Sequence, residues 1–493
     1  MKKRNSNKFY ITTAIDYPSG KPHIGHAYEK VAADVIARWH RGKGKEVFFL
    51  TGTDEHGQKI EKYAANAHKT PQEFANEMTL KFIELCEILN ISNDDFIRTT
   101  QQRHIDVAQK VFQKVFDKGD IYKDIYKGFY CVDCESFYLE RDLENGNCPV
   151  HGKKADWMEE EGYFFRMGKY QQQLLAHITV HEEFIQPQGR RNEIISRLKE
   201  EVRDINVSRS NFTWGIPLPN DQGQVIYVWF DALINYVSGA GYPDSERFRN
   251  FWPADLHLVG KDILWFHTVV WPSILLAADI ELPKTVYAHG FINLKGEKVS
   301  KSTGSIVDPV ELIRKYGADS LRYFLMREVS FGEDGNFSED ALIRRINSDL
   351  ANDIGNLVYR TLTMIEKYFQ GAIPESNNSD LSGITAFALA ENLTPAVDQE
   401  MAVYNFSQAL VKVWEVINAA NKFVEDTKPW VLFKEGRTEE LSDFLFVMVY
   451  VIDKVRENID CFMPETAQKI SKQFHQGRVI KDKPLFPRIQ DDD

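Results

Sequence analysis

Long apolar runs are missing from this 493-residue chain. The apolar stretch Phe444 to Ile452 is closed by Asp443 and Asp453, far short of the ~20 residues that a spanning helix needs. No membrane partner is therefore expected. Positive charge is also in deficit: 60 Lys+Arg face 72 Asp+Glu, a net charge of −12. A uniformly basic coat is excluded, no DNA partner is expected, and any polyanion must be met locally. Cysteine is sparse, with five in all, so a disulfide framework is not expected of so long a chain. Cys86 and Cys461 stand alone in apolar surroundings and read as small buried residues. The opening Met1-Lys2-Lys3-Arg4-Asn5 has charge but no apolar stretch behind it, unlike a secretory signal. No long Arg/Ser-rich amphipathic leader follows, and the expected location is cytoplasmic. Repeats and low-complexity tracts are absent, and Asp491 to Asp493 read as a solvated tail. The remainder is ordinary globular sequence, 43% hydrophobic and 27% charged, long enough for about two to four domains.

The first stretch alternates between strand and helix signals. Phe9 to Ala14 is β-branched and aromatic, as strands prefer. Pro18, Gly20 and Pro22 mark a rigid turn. Ala27 to His40 carries apolar residues at helical spacing, and Val47 to Leu50 is an unbroken apolar strand of the kind buried in parallel sheets. This βαβ unit predicts an α/β fold, a Rossmann-type doubly wound parallel sheet. Aromatic segments and cysteine pairs from about Gly119 predict a small insertion. Val225 to Phe230 and Asp255 to Val259 predict two further buried strands, and Ile263 to Ala278 a helix lining a pocket. After about Asp340 the pattern is helical, with Phe406, Leu410, Val413, Ile417 and Val424 on one face. Pro374 to Gly383 is a loop.

Three motifs carry chemistry. His23-Ile24-Gly25-His26 falls between the first strand and its helix, where open α/β sheets bind ligands and where a helix N-terminus favours anions. Two imidazoles there can donate to phosphate oxygens that gain charge as pyrophosphate leaves, and Gly25 lets a flat base approach the backbone. Alone, the string is equally a helix-start turn with surface histidines. Lys298-Val299-Ser300-Lys301-Ser302, followed by Gly304, offers two lysines three apart on a small-residue loop, fit to meet a triphosphate. Alone, it is more simply a solvated loop. Cys131-x-x-Cys134 and Cys148-x-x-His151 are two chelating pairs, which suit a closed tetrahedral Zn²⁺ site. With no open position, such a zinc is structural, one per chain.

Together the histidine and lysine motifs resemble the two signatures of class I aminoacyl-tRNA synthetases, in form and in order; Val299 stands where that class usually has Met. Thr12 to Tyr17, Gly52 to Gly57, Tyr227 to Ala232, Gly260-Lys261-Asp262 and His289-Gly290-Phe291 resemble the methionyl-tRNA synthetases, from about Phe9 into the helical C-terminal part. The short insertion lacks room for the editing domain of the leucyl, isoleucyl and valyl enzymes. The resemblance implies methionine activation by ATP and transfer to tRNA(Met), with Mg²⁺ accompanying ATP. It implies His23, His26, Lys298 and Lys301 as catalytic groups, with Gly25, Ser300 and Ser302 also at ATP and Arg209 as a further helper. Ala14, Ile15, Tyr17, Asp54, Trp229, Ala232, Tyr236, Ile263, His267 and Trp271 match the family's methionine pocket. Asp54 can anchor the ammonium, and aromatic rings suit a thioether, worth ~0.3–1.5 kcal/mol per contact. The resemblance also implies a zinc knuckle in the inserted domain, with His151 where Cys is common. Asn356, Arg360 and Trp430 match positions that recognise the anticodon, by edge contacts and by stacking. The expected organisation is a catalytic domain over 1–118 and 189–290, a connective insertion over 119–188, a lysine-loop and stem-contact region over 291–340, and an all-α anticodon-binding bundle over 341–493. A monomer is expected, since the chain ends soon after that bundle.

Overall fold

The computed structural model describes residues 7–131, 136–138, 140–149, 152–294, 297–298, 307–376, 378, 380–475 and 477–490. Backbone contacts divide it into two compact units. The first comprises Met1–Ala33, His40–Glu87 and Ile91–His289; the second comprises Asp34–Trp39, Ile88–Asn90 and Gly290–Asp493.

The first unit is built on a six-stranded sheet in the order Asp95–Arg98, Glu46–Thr53, Lys8–Thr13, Leu256–Gly260, Val286–His289, Ile185–Gln186. Every neighbouring pair is parallel. Tyr10 lies opposite Phe48, and Ile11 lies opposite both Phe49 and Leu256. The central strands are buried almost throughout, which explains their continuous apolar sequences. Strand order reverses around Lys8–Thr13, so the crevice beyond its carboxyl end is the natural ligand position. The helix after this strand runs Ile24–Gly42, three residues earlier than the apolar spacing predicted. Gly25 and His26 thus lie in its first turn.

Two expected strands fared differently. Asp255 to Val259 is realised as Leu256–Gly260, in the parallel sheet. The stretch Val225 to Phe230 is not one strand. Its first residues end the strand Asp221–Ile226 of a separate three-stranded antiparallel sheet, and the chain then turns helical at Val228–Leu233. The helix carries Asp231 to His56 and His104, as described below. Ile185–Gln186 belongs to the parallel sheet, whereas Ile205–Asn206 closes the insertion's antiparallel sheet of Ile121–Cys131, Ser136–Tyr138 and Asp156–Phe165.

In the second unit, Ile292–Leu294 pairs in parallel with Gly335–Phe337 and antiparallel with Glu297–Lys298. Helices follow from Glu339–Arg345 to Pro464–Gln473. The predicted apolar face of Phe406–Thr427 is buried. This region is not wholly helical, since Phe474–His475 pairs with Arg478–Val479. Arg322, fully buried, donates to the carbonyls of Leu89, Cys461 and Phe462 and contacts Asp34 at 2.7 Å, so the buried charge is fully engaged. Among the described residues, no helix is long and apolar enough to cross a membrane.

Candidate active site

The histidine signature is locally preorganised. The His23 backbone N–H donates to His26 Nδ1 at 2.9 Å, and the Gly25 N–H donates to His23 Nδ1 at 3.1 Å. A backbone N–H only donates, so each Nδ1 is an acceptor and each ring carries its proton on Nε2. The two rings lie 3.7 Å apart, with Phe82 edge-on to His26. Glycine at position 25 also leaves room for the His23 ring: a Cβ there would stand 3.0 Å from it.

Ala14, Ile15 and Tyr17 follow the first strand, Asp54 follows Glu46–Thr53, and Ile263 follows Leu256–Gly260. Adjacent parallel strands bring their carboxyl ends together, which assembles residues distant in sequence. Asp54 is buried, and its backbone N–H donates to the Asp16 carbonyl at 2.8 Å. Tyr17 Oη donates to the His56 carbonyl at 3.0 Å. Trp229 stacks on Phe266 at 3.7 Å and 5°.

Tyr236, His267 and Trp271 share one buried cluster. His267 lies in a π-helical turn, Phe266–Val270, and its Nδ1 contacts the Ile263 carbonyl at 3.0 Å. A carbonyl only accepts, so Nδ1 bears the hydrogen and Nε2 accepts from Tyr236 Oη at 2.7 Å. Burial depresses the His267 pKa to about 4, so the ring is neutral at pH 7. His257 is also pushed down by burial, with His267 adding to the effect. Trp271 Nε1 donates to His257 Nε2 at 3.4 Å, which leaves His257 Nδ1 to donate to Thr12 Oγ1 at 2.8 Å. Ala232 is buried, while Ala14, Ile15, Tyr17, Trp229 and Ile263 keep partial exposure.

Beneath this lies a polar layer that residue-by-residue reading did not single out. Asp231 is fully buried between His56 Nδ1 and His104 Nε2, each at 2.7 Å. Burial alone would raise its pKa, yet the two imidazoles hold it below the ordinary value. Glu55 is buried with Arg98 in a two-pronged pair at 2.6 and 2.9 Å. His56, Glu55 and Asp231 do lie within the segments that carry the family resemblance, which was their available signal; His104 has none. Arg209 is buried, and its guanidinium lies 4.2 Å over the Tyr227 ring.

The other motifs divide. Lys298 ends a short strand opposite Asn293, whereas Ser300, Lys301 and Ser302 lie outside the described residues. Cys131 and Cys148 are buried. Cys148 sits in a tight turn in which its N–H donates to the Lys153 carbonyl and its carbonyl accepts from the Gly152 N–H. Cys134 and His151 lie outside the described residues, and among those described no group of three or more metal-ligating side chains is found. Asn356 begins the helix Asn356–Phe369 and is exposed. Arg360, one turn on, pairs with Glu425 at 2.9 Å. Trp430, in the short helix Pro429–Lys434, is 45% exposed.

With this geometry in hand, similarity to known proteins is decisive. The family model described as tRNA synthetases class I (M) matches residues 9–155 and 139–362. The chain belongs to the class I methionyl-tRNA synthetases. A methionine–tRNA ligase of Caldanaerobacter subterraneus is 48% identical over 469 residues, 94% of this chain and 74% of that protein. One from Thermotoga maritima is 45% identical, covering 94% and 75%. Among solved structures, Mycobacterium tuberculosis methionyl-tRNA synthetase in complex with methionyl-adenylate superposes with a TM-score of 0.94 at 41% identity, covering 98% of this chain and 100% of that one.

Proposed function

We propose that this chain catalyses the methionine–tRNA ligase reaction of its family at the crevice beyond the first strand. What supports the proposal is that the two imidazoles at the helix start are oriented by backbone N–H groups, and that Asp54 directly follows the neighbouring strand Glu46–Thr53. In the first step the methionine carboxylate attacks the ATP α-phosphorus and pyrophosphate leaves. Asp54 holds the ammonium. Tyr17, Trp229, Ala232, Tyr236, Ile263, His267 and Trp271 enclose the thioether, with Ala14 and Ile15 at the main-chain wall. A neutral His267 suits an apolar side chain, since no charge is desolvated on binding.

His23 and His26 donate their Nε2 hydrogens to phosphate oxygens, with Gly25 clearing room for the adenine. Lys298 and Lys301 meet the charge that grows on the leaving pyrophosphate, helped by Mg²⁺ travelling with ATP and by the hydroxyls of Ser300 and Ser302. In the second step the terminal adenosine of tRNA(Met), through its 2′-hydroxyl, attacks the mixed anhydride and AMP leaves. No protein nucleophile is needed; catalysis is positioning and charge stabilisation.

Cys131, Cys134, Cys148 and His151 would hold one zinc, which would crosslink the insertion and take no part in the reaction. The burial of Cys131 and Cys148 and the tight turn at Cys148 fit that role. Asn356, Arg360 and Trp430 would read the anticodon in the helical region. The insertion, the lysine loop and the helical region act as separate modules of a cytoplasmic enzyme.

The test is amino-acid-dependent ATP–pyrophosphate exchange without tRNA, run across the twenty amino acids. Exchange with methionine alone is expected. Exchange with another amino acid discards the pocket, and no exchange from folded protein discards the activity. For the metal, elemental analysis of Cys131→Ser should show zinc loss; a full zinc content would remove Cys131 from the ligand set.

A further inference from the structure

A buried chain of charges lies directly behind the histidine signature, and nothing in the reaction described so far uses it. The Asp16 carboxylate bridges two cations or potential cations. One oxygen, Oδ1, is 4.0 Å from His26 Nε2, and the other, Oδ2, is 3.0 Å from Lys30 Nζ. Lys30 is 1% exposed and Asp16 is 6% exposed. Lys30 Nζ also donates to Thr13 Oγ1 at 3.1 Å and to the Ala14 carbonyl at 3.4 Å. Beyond it, Glu29 contacts Lys30 at 3.4 Å and His289 Nε2 at 2.9 Å.

The arrangement poses an electrostatic problem. His26 Nε2 is the atom argued above to receive a phosphate oxygen, yet an anion already stands beside it. An uncompensated carboxylate there would compete for the Nε2 hydrogen and repel the triphosphate. A buried lysine is itself costly, and such groups persist only when paired. Burial would lower the Lys30 pKa, but Asp16 and Glu29 raise it above the ordinary value. The ammonium therefore stays charged.

We infer that Lys30 is a positioning residue for ATP: it neutralises Asp16 and ties it to the end of the first strand, so that the carboxylate neither captures the His26 Nε2 hydrogen nor repels the triphosphate. This rests on the reading of His26 as a phosphate-binding group. The reach is selective. Methionine meets Asp54 and the aromatic cluster, whereas only the phosphates approach His26.

The experiment is steady-state ATP–pyrophosphate exchange with the full chain, with a thermal melt of each variant. Lys30→Met should raise the KM for ATP about tenfold, with the methionine KM changing less than about threefold. Removing both charges, in Asp16→Ala/Lys30→Met, should bring the ATP KM back to within about threefold of the parent. Equal loss in both KM values, or no recovery in the double variant, overturns the inference. If Lys30→Met does not fold, Asp16→Asn serves instead: it keeps the shape and removes the anion, so the ATP KM should hold or fall, and a rise beyond about threefold overturns the proposal. His26→Asn separates the two levels. If it exchanges as well as the parent, the phosphate-binding reading itself has failed. If it collapses while Lys30→Met shows no KM split, only the role of Lys30 has failed.

Discussion

The candidate methionine crevice and the candidate anticodon surface use similar side chains in opposite ways. In the crevice, Tyr236, His267, Trp271 and His257 are buried and linked by hydrogen bonds that fix each imidazole tautomer. On the helical surface, Trp430 is 45% exposed, Asn356 is open to solvent, and Arg360 is engaged with the exposed Glu425. A small flexible substrate offers little area, so it is selected by a rigid site whose ordering cost was met during folding. Unstacked RNA bases bring their own flat surface, so the protein need only present a ring and a few donors.

That contrast can be broken by substitution. The largest effect should come from Asp231→Ala, which strands His56 and His104 in the interior. Loss of one partner of a buried charged network costs about 3–5 kcal/mol, and a urea melt should show it together with weaker methionine activation. A loss under about 1 kcal/mol would mean that the layer beneath the crevice is not preorganising it. Next, Asp54→Asn should weaken methionine in the exchange assay on the order of a hundredfold, the scale of removing one partner of a desolvated charge pair. An unchanged methionine KM would remove Asp54 from the pocket.

Acid should weaken the crevice, and the sign follows from the histidines. His267 and His40 have folded pKa values of about 4 and about 3, lowered by burial, with Lys45 adding to the effect at His40. The unfolded chain therefore binds protons first as pH falls below about 6.5. Stability is fully present above that pH and declines toward pH 4, with His267 contributing about 2 kcal/mol between pH 7 and 5. His267→Asn should flatten the decline measured by urea melts at several pH values; an unaltered slope would contradict a neutral buried ring.

The smallest effect belongs to the open surface. Trp430→Ala should lower tRNA charging about tenfold, since one stacked base is worth ~1–3 kcal/mol, while leaving exchange and stability unchanged. If exchange fell equally, the division of labour between the two regions would be wrong.

Part of the candidate site can be read residue by residue. The strand–turn–helix signals around His23 and His26 are local, and so are the Cys and Lys motifs, because each depends on a few neighbouring residues. Asp54, Trp229, Tyr236 and His267 were legible only through family resemblance, since no local spacing relates them. Of the expected strand Val225 to Phe230, Val228 to Phe230 are helical: the apolar, aromatic run has no period of its own, and the helix it enters carries Asp231 to two histidines distant in sequence.

The sequence by itself determined the parallel α/β core, the helical C-terminal part and the order of the motifs, because hydrophobic period, turn residues and strand composition act over short range. Only the tertiary structure decided the tautomers of His23, His26, His257 and His267, the burial of Asp231, and the pairing of Asp16 with Lys30. Those depend on which backbone carbonyl, amide or counter-charge folding brings within about 3 Å, a distance across which hydrogen bonds and ion pairs are directional and strong.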